Sequence, residues 1–349
     1  MKLASATFIS AILCAAVGCT GSNDKPAGEE PAQQPPPVAE PAAADTAAAD
    51  KEKQELEERQ RRVTEAMDKA RKSAEEEKAR WTDELRAQAT KLATTDYKDT
   101  QKALQTILAS QHRTPGNADR DAHRHPVETL TFFGLEPGMT VIEVGAGGGR
   151  DTEILAPLLA KKGKLIVGGA DPNGPADQMS TVYGKRLQWF LEKSPELFGN
   201  VTVSHVSAPD KLELAPAGTA DLAIAIREAH GWYRRDVVDA YTSAIHKALK
   251  PGGVLGVVAH RAKPGADPKQ SAEKGYLPEA AVIEAIEKAG FKLAEKSEIN
   301  ANPKDTADYE GGVWTLPPSL RLGDVDRDKY VAIGESDRMT LKFVKVEDQ

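Results

Sequence analysis

Cysteine is nearly absent from this 349-residue chain: there are 2, Cys14 and Cys19, and none follows. Disulfides, cysteine-ligated zinc and a cysteine nucleophile are therefore excluded from everything after Thr20. An excess of positive charge is missing as well. The formal net charge is -7 and the pI about 5.7, so composition offers no broad field to draw nucleic acid. The apolar run 3–17 falls short of the roughly 20 residues that a membrane span needs. The length suits one large domain with extras, or two modest domains.

What is present starts with an address. Lys2 precedes the apolar run, which ends in Ala16-Val17-Gly18-Cys19. This looks like a bacterial lipobox with Ala16 where Leu is usual, and it implies that Cys19 is lipidated and becomes the first mature residue. An ordinary cleaved signal peptide is the alternative. Thr20 rather than Asp follows; by resemblance to sorted lipoproteins, that implies a periplasm-facing place at the outer membrane. Residues 20–50 are mostly Pro, Ala, Gly, Gln and Asp, too polar to repay ordering, and read as a flexible tether.

Residues 51–102 read as a charged helical stalk. From Lys51 to about Arg80 there is no Gly or Pro, and Glu recurs with Lys or Arg at i,i+4 spacing. Leu56, Val63 and Ala70 keep a seven-residue spacing, as do Met67, Ala74 and Trp81. A dimeric coiled coil is the alternative to a lone stalk, with Ala making weak knobs. The remaining parts are then a signal peptide, 1–19, and a folded domain, 103–349.

In that domain short apolar runs alternate with helical patterns. Strands are expected at 139–144, 164–169, 201–206, 220–226, 254–259, 292–297 and 340–346, with helices between most of them. Such alternation predicts a parallel α/β sheet with its ligand at the carboxyl ends of the strands. The first strand leads into "VIEVGAGGGRDTEIL". A dinucleotide fingerprint would place its third glycine where Arg150 stands, and no Gly-Lys-Ser/Thr follows to make a Walker A loop.

Glu143 followed by Gly145, Gly147 and Gly149 resembles motif I of the class I S-adenosylmethionine-dependent methyltransferases. "FFGLEPGMTVIEVGAGGG" and "ALKPGGVLGVV" supply the turns that precede the first and fifth strands in that family. The resemblance covers roughly 103–349. It implies a Rossmann-like, seven-stranded, mostly parallel sheet with helices on both faces and an antiparallel last strand. It also implies S-adenosylmethionine as cofactor, with Glu143, Gly145, Gly147 and Gly149 at its methionine part and ribose. Asp171, after "KLIVGGA", would grip the ribose hydroxyls, and Asp210 would lie near the adenine. Turn formation is the competing role for Asp171, which precedes Pro172 and Asn173.

A narrower similarity, carried by "RDAHRHPVETLTFFGLEPGMTVIEV", "INANPKDTADYEGGVWTLPPSLRLGD" and "YVAIGESDRMTLKFVK", is to a bacterial group known mainly as predicted methyltransferases, often exported. That group commonly has Trp-Tyr where this chain has Arg150-Asp151. It commonly reads Arg-Asn-x-His-x-Trp where this chain has Arg227-Glu228-Ala229-His230-Gly231-Trp232.

Methyl transfer requires a positioned acceptor and somewhere for its proton to go. His230 and His260 are the candidate bases. Trp232 and Tyr233 are candidate pocket walls, and Arg261 a further acceptor contact. His123 and His125 would face one way in an extended segment, but no carboxylate cluster accompanies them, so no metal site is assigned. Residues 302–335, with Trp314 and Arg321, are too long for a simple connection and are expected to form a substrate lid, with a structural insertion packed on the sheet as the alternative. The expected activity is methyl transfer to an O or N atom of a small molecule or envelope component. The alternative is a lipoprotein that keeps the fold to bind a ligand or an envelope partner.

Overall fold

The computed structural model describes residues 43–346. Cys19 and most of the expected tether lie outside the described residues. The first helix, α1 (Ala43–Arg80), already includes residues 43–50, which were expected to be tether. Their alanines favour helix, and no Gly or Pro interrupts the run. The compact unit begins at Lys53.

The expected stalk gives way to folded structure well before residue 102. Helix α2 (Asp83–Thr94) is capped by Thr82, whose hydroxyl accepts from Leu85 N at 3.3 Å, and α3 (Thr100–Leu108) by Asp99. Leu85, Ala89 and Leu92 stand at i, i+4 and i+7 and are buried in one core cluster with Trp81, Leu104 and Ile107. Dense charge on the other faces of α2 hides this stripe from composition. Ala70 and Ala74, read as heptad positions, line a groove against Met179, Tyr183 and Trp189 of the same chain.

Seven strands make one sheet: β1 (Thr140–Glu143), β2 (Lys164–Gly169), β3 (Thr202–His205), β4 (Ala220–Ile226), β5 (Leu249–His260), β6 (Phe291–Ser297) and β7 (Arg338–Lys345). Their order is β3-β2-β1-β4-β5-β7-β6. The first five run parallel, and β7 pairs antiparallel with both β5 and β6. The order reverses between β1 and β4, which opens a crevice at their carboxyl ends.

Neighbouring residues of a strand face opposite ways, so β1 feeds two cores. Val141 joins the cluster of α2, α3, α5 (Pro126–Phe132), α6 (Thr152–Leu159) and α8 (Pro195–Phe198). Ile142 joins that of α9 (Ala229–Arg234), α10 (Val238–Ala248) and α12 (Glu279–Lys288). Helix α6 is buried along its whole length. Its Glu153 is fully buried and accepts from Arg113 Nε, Thr114 N and Asn117 Nδ2 at 2.9–3.0 Å, which fastens the segment before the sheet to the helix after the glycines.

Two loop expectations change. His123 and Arg124 end the short helix α4 (Asp121–Arg124), and His125 is left-handed at φ 41°, so the segment is not extended. The 302–335 stretch is partly packed: Val313 joins Ala262 and Tyr276 in a small cluster, and Val313 N donates to Lys274 O at 2.8 Å. Most residues from Arg321 to Ile333, including those of α13 (Arg327–Ile333), are exposed.

Candidate active site

The glycine turn makes the floor of the site. After β1 the chain takes φ +55° at Gly147 and +80° at Gly149, left-handed values that glycine reaches without strain, and Gly149 N donates to Ala146 O at 2.8 Å. A Cβ on Gly145 would stand 2.6 Å from the Glu228 carboxyl carbon, and one on Gly149 would stand 2.5 Å from the Phe190 ring. Gly147 has open space where its Cβ would be. The turn is therefore shaped by two close approaches, with an open rim between them.

Above it lies a cavity of about 540 Å³ at the carboxyl ends of β1, β2 and β4. It has the size of a small-molecule site. Its walls include Gly145, Gly147, Gly169, Ala170, Ser207 and Tyr183, with Arg227, Glu228 and His230 on the β4 side. Arg227 leaves β4 at φ 62°, and its N–H donates to Val258 O at 2.7 Å, turning the chain into the cavity wall. Burial pushes the Glu228 carboxyl up to about 7, against the opposing pull of Arg227 and Arg235. Burial, and then Arg234, Arg227 and Arg235, hold His230 down at about 4, so its imidazole is neutral at pH 7.

A glycine turn after β1, a cavity at the β1/β4 reversal and an antiparallel β7 between β5 and β6 occur together here. This is the Rossmann-like class I methyltransferase fold.

Solved structures overlap this methyltransferase fold in part. A SAM dependent methyltransferase from Aquifex aeolicus is 17% identical, over 71% of this chain and 100% of that one, with a TM-score of 0.43. The cyclase SpnF is 16% identical, over 73% and 99% of the two chains, also at 0.43. Phosphoethanolamine N-methyltransferase 2 of Haemonchus contortus, solved with S-adenosyl-L-methionine, is 14% identical over 71% of this chain and 58% of its own, at 0.42. No family model and no curated protein matches the sequence. Strand order and direction, rather than these likenesses, carry the fold assignment.

The expected site residues separate into three groups. Gly145, Gly147 and His230 line the cavity. A second group stands close by without lining it. Glu143 is buried beneath the turn, where its Oε2 accepts from Thr152 Oγ1 at 2.6 Å. Burial first, then the charge of Asp151, pushes its carboxyl well above the usual range, and the Thr152 bond joins β1 to α6. Gly149 is buried under Phe190. Asp171 is exposed directly after the lining residue Ala170, and its Oδ1 accepts from Asn173 N at 2.8 Å in a turn. Its Oδ2 has no partner among the described residues. Asp210 is exposed near the tip of a loop closed by Ser207–Lys211 backbone pairing, whose Ser207 and Ala208 reach the cavity.

The third group is drawn elsewhere. Trp232 is 2% exposed and stacks on Tyr241 with ring centroids 4.8 Å apart, so it belongs to the core, not to a pocket wall. Tyr233 donates its hydroxyl to Ala281 O at 2.8 Å, and burial raises it to about 12. Arg261 is occupied by Glu279, Glu298 and Asp337. His260 is absent from the cavity wall; its Nδ1 pairs with Ser336 Oγ at 2.5 Å, and its ring lies 5.9 Å from that of His230. Trp314, from the expected lid, comes 6.2 Å from the His230 ring and carries Arg321 over its own face at 4.6 Å.

Sequence reasoning missed Arg227 and Glu228 as site residues. The signal was an Arg-Glu pair directly after the apolar run 222–226, at the carboxyl end of the strand where ligands bind in such sheets. The residues present suit S-adenosylmethionine. The glycine rim is open at Gly147, the Glu228 carboxyl lines the cavity where it could meet a cation, and Asp171 keeps one carboxylate oxygen unpaired beside the β2 wall.

Proposed function

We propose that this chain is an S-adenosylmethionine-dependent methyltransferase acting on an O or N atom of a small molecule or envelope component. The observation that carries the reading is Glu228: a half-buried carboxyl, in contact with Gly145, inside a cavity built on the motif-I glycines. A cofactor with a sulfonium and an ammonium favours the ionised form of such a group, so binding itself repays the cost of its burial.

S-adenosylmethionine would supply an activated methyl group, which leaves sulfur with the S–C electron pair staying behind. The chain's own residues do the rest. Gly145 and Gly147 let the backbone approach the ligand, Asp171 Oδ2 offers an acceptor to its hydroxyls, and Glu228 balances its charge. Neutral His230 accepts a hydrogen bond from the acceptor O–H or N–H and orients a lone pair toward the methyl carbon. Its depressed basicity suits orientation rather than proton removal before transfer; once the methyl is bound, the acceptor's proton becomes strongly acidic and passes through His230 to water. Trp314, beside His230, helps to exclude water.

Calorimetry of the full chain with S-adenosylmethionine and its demethylated product tests the reading. Micromolar binding, weakened about tenfold by Asp171→Ala, is expected for the loss of one charge-assisted hydroxyl contact. Absence of binding at millimolar ligand refutes it. The proposed location rests on Cys19, and labelled palmitate on the wild type but not on Cys19→Ala is its expected signature.

A further inference from the structure

Behind the cavity wall, arginines gather in unusual number. Arg120, Arg124 and Arg338 all converge on Glu335. Arg150 pairs with Asp151 and Asp121, and Arg113 with Asp121 and Glu153. Arg227 makes no ion pair among the described residues. Six guanidinium groups thus meet four carboxylates, an excess of two positive charges, or of one once Glu228 ionises. Burial and neighbouring arginines hold Arg124 down to about 9 and Arg338 to about 10.

Unspent donors accompany the unspent charge. The Nε groups of Arg150, Arg227 and Arg338 are buried without a hydrogen-bond partner. Leaving several such donors unmet in a folded protein is costly, because each loses its water without gaining a partner. Arg124, Arg150 and Arg338 border a small cavity of 20 Å³, room for about one water-sized group, whose wall includes Ile226. The next residue, Arg227, faces the large cavity. Arg227 therefore stands between the arginine cluster and the site, on the same side as His230.

We propose that Arg227, backed by Arg150 and Arg338, binds an oxyanion, a carboxylate or phosphate group carried by the methyl acceptor. Planar guanidinium donors match either group through paired N–H···O contacts. Assigning the anion to an acceptor rests on the function proposed above; the anion site itself does not. The opposite charges of the cavity then divide the work. Glu228, against the glycines, takes the cationic ligand, while Arg227, beside the arginine cluster, takes the anionic one, and His230 lines the same cavity.

The test is thermal unfolding of the full chain, titrated with phosphate or acetate at constant ionic strength against chloride, with and without S-adenosylmethionine. Wild type is expected to show a saturable rise in Tm with at least one of the two anions. Arg227→Gln, which breaks no ion pair, should weaken half-saturation about tenfold, and Arg227→Lys should recover part of it. The better anion names the chemical class. No anion-specific rise in wild type, or an unchanged rise in Arg227→Gln, overturns the site. A rise that disappears under saturating S-adenosylmethionine overturns the acceptor assignment, because the cofactor's own carboxylate then fills the seat. Failure of S-adenosylmethionine to bind refutes the proposed function alone, since the anion titration is also read without it.

Discussion

Glu228 is the residue whose chemistry the neighbouring sequence conceals. Its position after β4 was visible as a departure from the Asn of similar chains, but only the fold brings its carboxyl against Gly145 and raises it to about 7. A cation bound beside it requires the ionised form. Affinity for S-adenosylmethionine should therefore fall as pH drops below about 7, approaching tenfold per unit, and level off above it. Glu228→Gln should bind about tenfold more weakly at pH 8 and lose this dependence. Calorimetry between pH 6 and 8 checks both; a wild-type affinity that does not move with pH would remove Glu228 from the cation site. Trp232 teaches the converse. Its place beside His230 in sequence suggested a pocket wall, yet α9 turns it into the core against Tyr241. Chain adjacency does not say which face of a short helix meets the sheet.

At the level of elements, strands and the glycine turn were legible because their patterns are local. A buried apolar run stopped by Gly has few other structures available, and β2 and β4 occupy the residues expected of them. The junction between the stalk and the domain was less so, because its partners are distant in sequence. Glu77 near the end of α1 accepts from Lys193 Nζ at 3.0 Å, and that ammonium also donates to Thr114 Oγ1 at 2.8 Å and lies 4.1 Å from the Phe190 ring centre. Arg80 meanwhile donates to the carbonyls of Gln111, His112 and Arg113. Lys193 is only 2% exposed, so this anchor is screened little by solvent. Lys193→Met, which keeps the stem and removes the charge, should cost about 3 kcal/mol in a urea melt. Adding Glu77→Gln should cost less than the two single losses summed. A cost for Lys193→Met below about 1 kcal/mol would show that the end of α1 is held by apolar contacts instead.

Across the whole molecule, the sheet class followed from alternation of strand and helix, the antiparallel direction of β7 only from resemblance, and its place between β5 and β6 from neither. The arginine cluster was beyond reach, since Arg120, Arg150, Arg227 and Arg338 come from four separate parts of the chain and pattern alone gives no reason to unite them. Such buried charge makes stability a property of pH for the molecule as a whole. Burial holds His112 and His230 at about 4 and His260 well below its ordinary range, so the unfolded chain takes up three protons below about 6.5 that the folded chain refuses. Buried carboxyls act in the opposite direction. Glu143 is raised well above its ordinary value and Glu228 to about 7, so the folded chain keeps two protons that the unfolded chain gives up above about 4.5; Asp305 joins them at the acid end. Near pH 5 to 5.5 the unfolded state thus binds roughly one proton more, so stability should rise there by about 1.4 kcal/mol per pH unit, and the excess vanishes by about 6.5 as the unfolded histidines titrate. Above about 7 the histidines are neutral in both states, and the raised Glu143 and Glu228 oppose any further gain, so the rise ends. Urea melts from pH 5 to 9 should place the maximum near pH 6.5–7. His112→Phe, which removes one buried imidazole, should flatten the acid limb, because one of the three refused protons is then missing from the unfolded state. A wild-type profile still climbing at pH 8 would mean that Glu143 and Glu228 are ionised in the folded protein, and the charge account of the cavity would have to be reversed.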